Sequence, residues 1–285
     1  MQNILKPIFT ITEHGNGVPV YVSYDYNNSI FDKSLEKCEK LLIVPDSALN
    51  HLLIGYDIYW TNNPSMYASN KNHIKHLCIN DLIYYRHTAA HDVKKEDKFL
   101  IQNNLASSYK IFRNLSIKNS WHINEESPIV EYGIPLPKQI SNKNRKSVLF
   151  VNYQNNHIVN TLYKNLIHTW PDAGMLNSIN ELSYDNLCSI AQQYCVLVDF
   201  QDDYNVLFGM INGCSVISSH NLEKCDHTVL YDLNQLTSII SQQLEIYKNK
   251  DIDKQIENIN TNYSFEKFNQ EILSHIYHII RKPNL

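Results

Sequence analysis

Glycine and proline are scarce in this chain, at 7 and 9 of 285 residues, and no low-complexity tract or internal repeat interrupts it. Asn, Ile, Lys and Tyr are abundant instead, a bias that follows from an AT-rich genome such as that of a phage or a low-GC bacterium and says little about function. The six cysteines (Cys38, Cys78, Cys188, Cys195, Cys214, Cys225) include no Cys-x-x-Cys pair, and several lie inside apolar runs. They read as reduced, buried thiols of a cytosolic protein. No stretch approaches the roughly 20 apolar residues of a membrane span. The opening MQNILKPIFTITEHGNG lacks the apolar run and small-residue cleavage site of a signal peptide. The expected location is therefore the cytoplasm, that of the host if a phage encodes the chain. An excess of positive charge is also missing. Lys and Arg number 25 against 29 Asp and Glu, a net charge of -4. Proteins that hold nucleic acid mainly by neutralising phosphates are basic, so any DNA contact here needs a local basic patch.

What is present suffices for a real core. Apolar residues make up 43% of the chain, and its length fits two Rossmann-sized domains of about 130–150 residues or one large domain. In the first half, Val18–Ser23 and Lys40–Val44 read as buried strands, with a short helix over Ser34–Lys40 between them. A further strand is expected within His76–Ile79 and Leu82–Tyr85, a helix over Glu96–Ala106, and a last short strand at Ile129–Tyr132. Gly133-Ile134-Pro135-Leu136-Pro137 then runs into the polar SNKNRK of Ser141–Lys146, which reads as an interdomain linker.

A cleaner alternation follows. Strands are expected at Ser147–Val151, Cys195–Phe200, Cys214–Ser218 and Thr228–Tyr231, and helices within Asn156–Trp170, from Ser183 as cap, over Asn205–Asn212 ending at Gly213, over Asn234–Tyr247 and over Phe265–Ile280. Strands alternating with helices imply parallel sheets with crossovers, and ligands at the carboxyl ends of the strands.

Several stretches carry a family likeness. Leu182–Val198, Asp199–Ile217, Val229–Leu236 and Tyr263–Glu266 (YSFE), together with Ser120-Trp121 and Tyr132-Gly133-Ile134-Pro135, occur in the order found in retaining family 4 glycosyltransferases. The chain resembles that family from roughly Ser116 to His278. The resemblance implies an α/β protein of the GT-B type, two Rossmann-like domains with a cleft between them. The N-terminal acceptor-side domain would span 1–136 and the C-terminal nucleotide-sugar-binding domain 147–263, with a C-terminal helix at 264–285. The implied activity is transfer of a sugar from a nucleotide-sugar to a hydroxyl acceptor, with no cofactor and no metal. The family's two glutamates around the acidic loop are replaced by Phe200 and Phe208. Its phosphate-binding Arg and Lys give way to Asn152–His157 (NYQNNH), and its first Gly-rich loop is absent.

The candidate site residues follow from these positions. Asp203, Tyr204, Asn205 and Val206 open a helix on the matched loop, and a helix amino end stabilises phosphate through its free N–H groups. They are donor-diphosphate candidates, the alternative being a polar loop in which Asp202 and Asp203 are caps. Asn155, Asn156 and His157 follow a buried strand and stand where the family has cations; the alternative is a turn with a capping Asn. His87, His91 and Asp92 follow a strand of the first half and are candidates for a base at the acceptor hydroxyl. Asp25 and Asp46 are rivals, and a retaining enzyme needs no conventional base. The acceptor considered is hydroxymethylcytosine in double-stranded phage DNA, which the enzyme would extrude from the helix, with Lys71, Lys75, Lys94, Lys95, Lys143 and Lys146 on the backbone. A surface saccharide or small molecule is the rival acceptor. A non-catalytic nucleotide- or glycan-binding relative is the rival to an enzyme.

Overall fold

In the computed structural model the described residues are 20–24, 29–35, 44–45, 56–61, 78–85, 90, 93–104, 109–122, 126–140, 145–222 and 224–281. They form two compact units. The first comprises Met1–Asn27, Cys38–Tyr132 and Phe268–Leu285, the second Asn28–Lys37 and Gly133–Lys267. The division departs from the expected one in three ways. The chain changes unit at Tyr132/Gly133 rather than over 137–146. The short segment Asn28–Lys37 belongs with the second half, and most of the C-terminal segment belongs with the first.

The first unit carries β1 (Val20–Tyr24), β2 (Val44–Pro45), β3 (Tyr56–Thr61), β4 (Cys78–Tyr85) and β5 (Tyr109–Phe112) in one sheet of order β2-β1-β3-β4-β5. Every neighbouring pair is parallel. Helices α2 (Lys95–Asn104) and α3 (Leu115–Ser120) flank β5. The side chain of Asn114 caps α3 by accepting from Ile117 N. The strand expected at Ile129–Tyr132 is reduced to a single parallel bridge from Ile129 to Phe112. The expected pair of segments around His76–Tyr85 is one continuous strand, β4.

The second unit holds its own five-stranded sheet. Its strands are β6 (Lys146–Val151), β7 (Gly174–Leu176), β8 (Tyr194–Asp199), β9 (Ser215–Ser218) and β10 (Thr228–Val229), all parallel, in the order β10-β9-β8-β6-β7. This is the strand order of the first sheet again. The first strand pairs with the second on one side, and the third crosses to the other. Between the strands run α4 (His157–Leu166), α5 (Tyr184–Ala191) and α6 (Tyr204–Ile211), followed by α7 (Leu236–Tyr247) and α8 (Ile252–Tyr263); α9 (Phe265–Arg281) belongs to the first unit from Phe268 on. The α1 helix (Ile30–Leu35) joins this unit from far upstream.

Local chemistry sets the helix starts. Ser183, Asp251 and Ser264 each accept from an N–H three residues on, and Asn156 from Ile158 N. On one face of the sheet, Val148, Phe150, Val196, Val198 and Ile217 meet Val159 and Leu166 of α4 and Leu236 and Ile240 of α7. Helix α6 is buried along its whole length, because the sheet, α1 and α8 all pack against it. Gln255 of α8 donates to Met210 O and Cys214 O, where α6 ends and its carbonyls lack helical partners. Gly213 turns the chain out of α6 with φ of +77°, the left-handed geometry that glycine adopts without strain.

Gly209, inside α6, is required for a different reason. A Cβ there would lie 2.6 Å from Val216 Cγ2 and 3.4 Å from Leu197 Cβ, so the bare backbone lets the helix lie close on β8 and β9. Gly209→Ala gains about 1 kcal/mol of helix propensity, but overpacking costs about 1–3 kcal/mol. We expect a net loss of stability, read as a lower midpoint in urea unfolding with an unchanged slope.

Candidate functional site

Parallel strands deliver their carboxyl ends to one edge of a sheet. In the second sheet the order reverses between β6 and β8, so the segments leaving those strands turn apart and leave the position where ligands enter such sheets. Asn152–Asn156 leaves β6 and Phe200–Asp203 leaves β8.

The β6 side is a knot of carboxamides. Asn152 is fully buried. Its Oδ1 accepts from Asn156 N at 2.7 Å and from Gln201 Nε2 at 3.2 Å. Its Nδ2 donates to Asn160 Oδ1 at 2.9 Å and to Asn156 O at 3.3 Å. Asn160 Nδ2 in turn donates to Asn155 Oδ1 at 3.1 Å. Asn155 takes a φ of +54°, a left-handed geometry that Asn tolerates better than most residues. Asn156 caps α4 through Ile158 N, and His157 opens the helix with an exposed side chain. Of this expected trio, Asn156 is thus a cap, while Asn155 and His157 stand at the solvent side of the helix amino end.

On the β8 side lies a buried acid. The carboxylate of Asp199 is fully enclosed and accepts from Asn205 Nδ2 at 2.8 Å, Asp202 N at 3.2 Å and Gln201 N at 3.3 Å. Burial pushes its pKa up to about 7; the bond from Asn205 opposes this, and the nearby Asp202 charge adds to it. Asn205 Nδ2 also reaches Tyr153 Oη, on the β6 segment, at 3.3 Å.

The amino end of α6 differs from expectation. Its first N–H groups are already engaged: Tyr204 N donates to Asp202 Oδ1 at 3.0 Å, Asn205 N to Asp202 O, and Val206 N to Asp203 O. Tyr204, Asn205 and Val206 are fully buried. The phenol of Tyr204 donates toward Ser34 Oγ of α1 and Gly133 O, and its ring meets Phe31 edge-on. Asp203 stands at the N-cap position without a side-chain cap bond. Of Asp203–Val206, expected to hold a diphosphate, Tyr204, Asn205 and Val206 are thus enclosed with their N–H groups engaged within the chain, and Asp203 is half-buried. A carboxylate already fills the place a phosphate would take. An Asn205→Asp change would set two carboxylates face to face inside the fold rather than near a ligand.

Of the other candidates, His87, His91, Asp92, Asp25, Asp46, Lys71, Lys75 and Lys143 lie outside the described residues. Lys94 and Lys95 sit at the start of α2. Lys146 begins β6, at the amino edge of its sheet, with its ammonium 5.4 Å from the Tyr194 ring centroid. It cannot share a patch with residues at the carboxyl edge. Among the described residues no helix is long and apolar enough to cross a membrane, and no three His, Cys, Asp or Glu side chains gather as a metal site. Sequence reasoning did not single out Asn152, Gln201, Asn160 or Asp199: Asn152 and Gln201 meet across 49 residues, and the local bonds of Asp199 and Asn160 follow no motif.

The raised pKa of Asp199 has a consequence for stability. The unfolded chain releases this proton near the ordinary value of 3.8, whereas the folded chain keeps it to about 7. The folded state holds more protons between those values, so stability falls as pH rises from about 4 to about 7 and then levels. The expected loss from this group is of the order of a few kcal/mol. Asp199→Asn should flatten that slope, measured as urea midpoints against pH.

No protein-family model matches the chain, and no curated protein sequence is similar to it. Solved structures are similar in fold. HepE from Anabaena in complex with UDP superposes with a TM-score of 0.66 at 8% identity, over 91% of this chain and 99% of that one. HepE in complex with UDP-glucose gives 0.64 at 9% identity, over 91% and 99%.

Proposed function

We propose that the chain is a metal-independent glycosyltransferase of the GT-B type that moves a sugar from a nucleotide-sugar to a hydroxyl acceptor. The observation that carries this reading is a fold shared, along nearly the whole of both chains, with a protein that binds UDP and UDP-glucose. The polar reversal point at β6 and β8 supports it as well, since sheets of this order receive nucleotides there.

The donor diphosphate is assigned to the amino end of α4. The N–H groups of His157 and Val159 have no partner among the described residues, because Asn156 caps only Ile158 N. The exposed imidazole of His157 and the amide of Asn155 complete the site. A helix amino end attracts anions through these donors and its dipole. His157→Glu should therefore weaken binding of UDP-glucose by about tenfold or more, read by calorimetry, with no loss of thermal stability. Unchanged affinity would remove α4 from the donor site.

His87 or His91, with Asp92 nearby in sequence, is proposed as the base for the acceptor hydroxyl. Alanine at the true base should lower turnover about 10²–10⁴-fold at unchanged donor affinity. Normal turnover in both single variants would exclude a histidine base.

One observation favours a second reading, a binder without catalysis. Phe208 is buried and Phe200 packs against the core, so neither position offers an oxygen to a ligand. Turnover separates the two. The assay offers nucleotide-sugars with hydroxymethylcytosine DNA, unmodified DNA and a saccharide panel, and reads product mass. A mass gain on the modified DNA alone establishes the DNA acceptor, and a gain on a saccharide alone replaces it. Donor binding with no transfer to any acceptor supports the binder.

A further inference from the structure

Four carboxamides stand in a row across the carboxyl edge of the second sheet: Gln201, Asn152, Asn160 and Asn155. A carboxamide has one accepting end and one donating end, and in isolation either could face a given neighbour. Here the backbone decides. The N–H of Asn156 donates to Asn152 at 2.7 Å, and an N–H is matched only by the amide oxygen. That oxygen then requires a donor from Gln201, which must present Nε2. On the other side, Asn152 Nδ2 requires the oxygen of Asn160, and Asn160 Nδ2 requires the oxygen of Asn155. All four amides point the same way.

The row consequently has unlike ends. At the β8 segment it ends in a carbonyl oxygen, Gln201 Oε1, which is buried and has no donor among the described residues. The side chain that carries it is only half-buried. At α4 the row ends in the NH₂ group of Asn155, on an exposed residue. A second acceptor without a donor, Asn205 Oδ1, lies on the β8 side, its amide turned that way because Nδ2 serves Asp199. A buried acceptor left without a donor costs about 1–3 kcal/mol. Hydroxyl groups can donate to such an oxygen, whereas phosphate oxygens only accept and are repelled by it.

Building on the nucleotide-sugar reading above, we propose that this polarity sorts the two chemistries of the ligand. A hydroxyl, of the ribose or of the transferred sugar, donates to Gln201 Oε1, and phosphate is received at the Asn155 end. Asn152 is the positioning residue that holds Gln201 with its oxygen toward the ligand. The β8 segment thus reads hydroxyls, although its place before a helix marks it from sequence as a phosphate loop.

The test is calorimetry with UDP, 2′-deoxy-UDP, UDP-glucose and pyrophosphate on the full chain. One hydrogen bond of ordinary net strength corresponds to a preference of about three- to tenfold. A preference of UDP over its 2′-deoxy analogue assigns the hydroxyl to ribose, and one of UDP-glucose over UDP assigns it to the sugar. Gln201→Leu should erase that preference and leave pyrophosphate affinity within about twofold. Asn152→Leu should erase it too. Asn152→Asp keeps an oxygen for Asn156 N and Gln201 Nε2 and should retain the preference, while its second oxygen, set against Asn156 O and Asn160 Oδ1, turns the Asn160 and Asn155 amides over and should lower pyrophosphate affinity; a merely structural role for Asn152 would not separate these two readouts. Should Asn152→Leu fail to fold, Gln201→Leu and Asn152→Asp decide alone. The proposal is overturned if the wild type shows neither preference, if the preference survives in Gln201→Leu, or if pyrophosphate affinity falls along with it. Should no nucleotide bind, the nucleotide-sugar reading fails. The same variants are then titrated with free glucose and with orthophosphate. Glucose binding that is lost in Gln201→Leu upholds the hydroxyl assignment, and any other result ends it.

Discussion

A carboxamide shut away from water has to place two donors and an acceptor among its neighbours, and Asn152 does so at the point where the second sheet reverses. Its oxygen holds the turn that starts α4 and also reaches across to the β8 segment; its nitrogen ties down the first turn of the helix. The two strands that flank the reversal are thereby joined beyond their last ladder bonds. An apolar residue in that place would leave an N–H of the turn and the amide of Gln201 unmatched.

Across the reversal, Asp199 makes the complementary arrangement. It is buried and acidic, and three N–H groups satisfy it. Its neighbour Asp202 closes the amino end of α6, so the helix is capped by the chain itself. Tyr204 then faces inward and fastens α1 and the start of the second half to the same helix end. The edge around the reversal is thus built from amides, a phenol and a buried acid. Such groups discriminate by the direction of hydrogen bonds, and depend less on salt than point charges do.

The second half of the fold could be read from the chain because its signals are local. Ser183 before a periodic apolar face, Gly213 after one, and short runs such as Ser147–Val151 mark the ends of elements without reference to anything distant. Five elements escaped: β3, β5, α3, β7 and α8. β3 alternates apolar residues at Tyr56, Ile58 and Trp60 but is followed by Asn, Pro and Ser that read as loop. β7 is three residues long and begins with glycine. α8 is rich in Asn and Asp, poor helix formers, and is held by burying Ile256, Ile259 and Tyr263. The site was less legible for a related reason. A helix amino end after an acidic loop has the same sequence signature whether its N–H groups are open or closed, and Asp202 settles the matter through its rotamer. The amide row joins residues from two separate segments, a relation that no spacing encodes.

The division of the chain between the two units also orders its synthesis. A ribosome releases residues from the amino end, and domains commonly fold as they emerge. The second unit has all its parts once Lys267 is out, because its distant piece, Asn28–Lys37, was made first. The first unit lacks Phe268–Leu285 until after the second has all its parts, although most of its residues precede them. Folding on the ribosome therefore runs against the order of the sequence. The later-made half can close while the earlier-made half still waits, and Phe31 and Ser34 lack their partner Tyr204 only until α6 has been made.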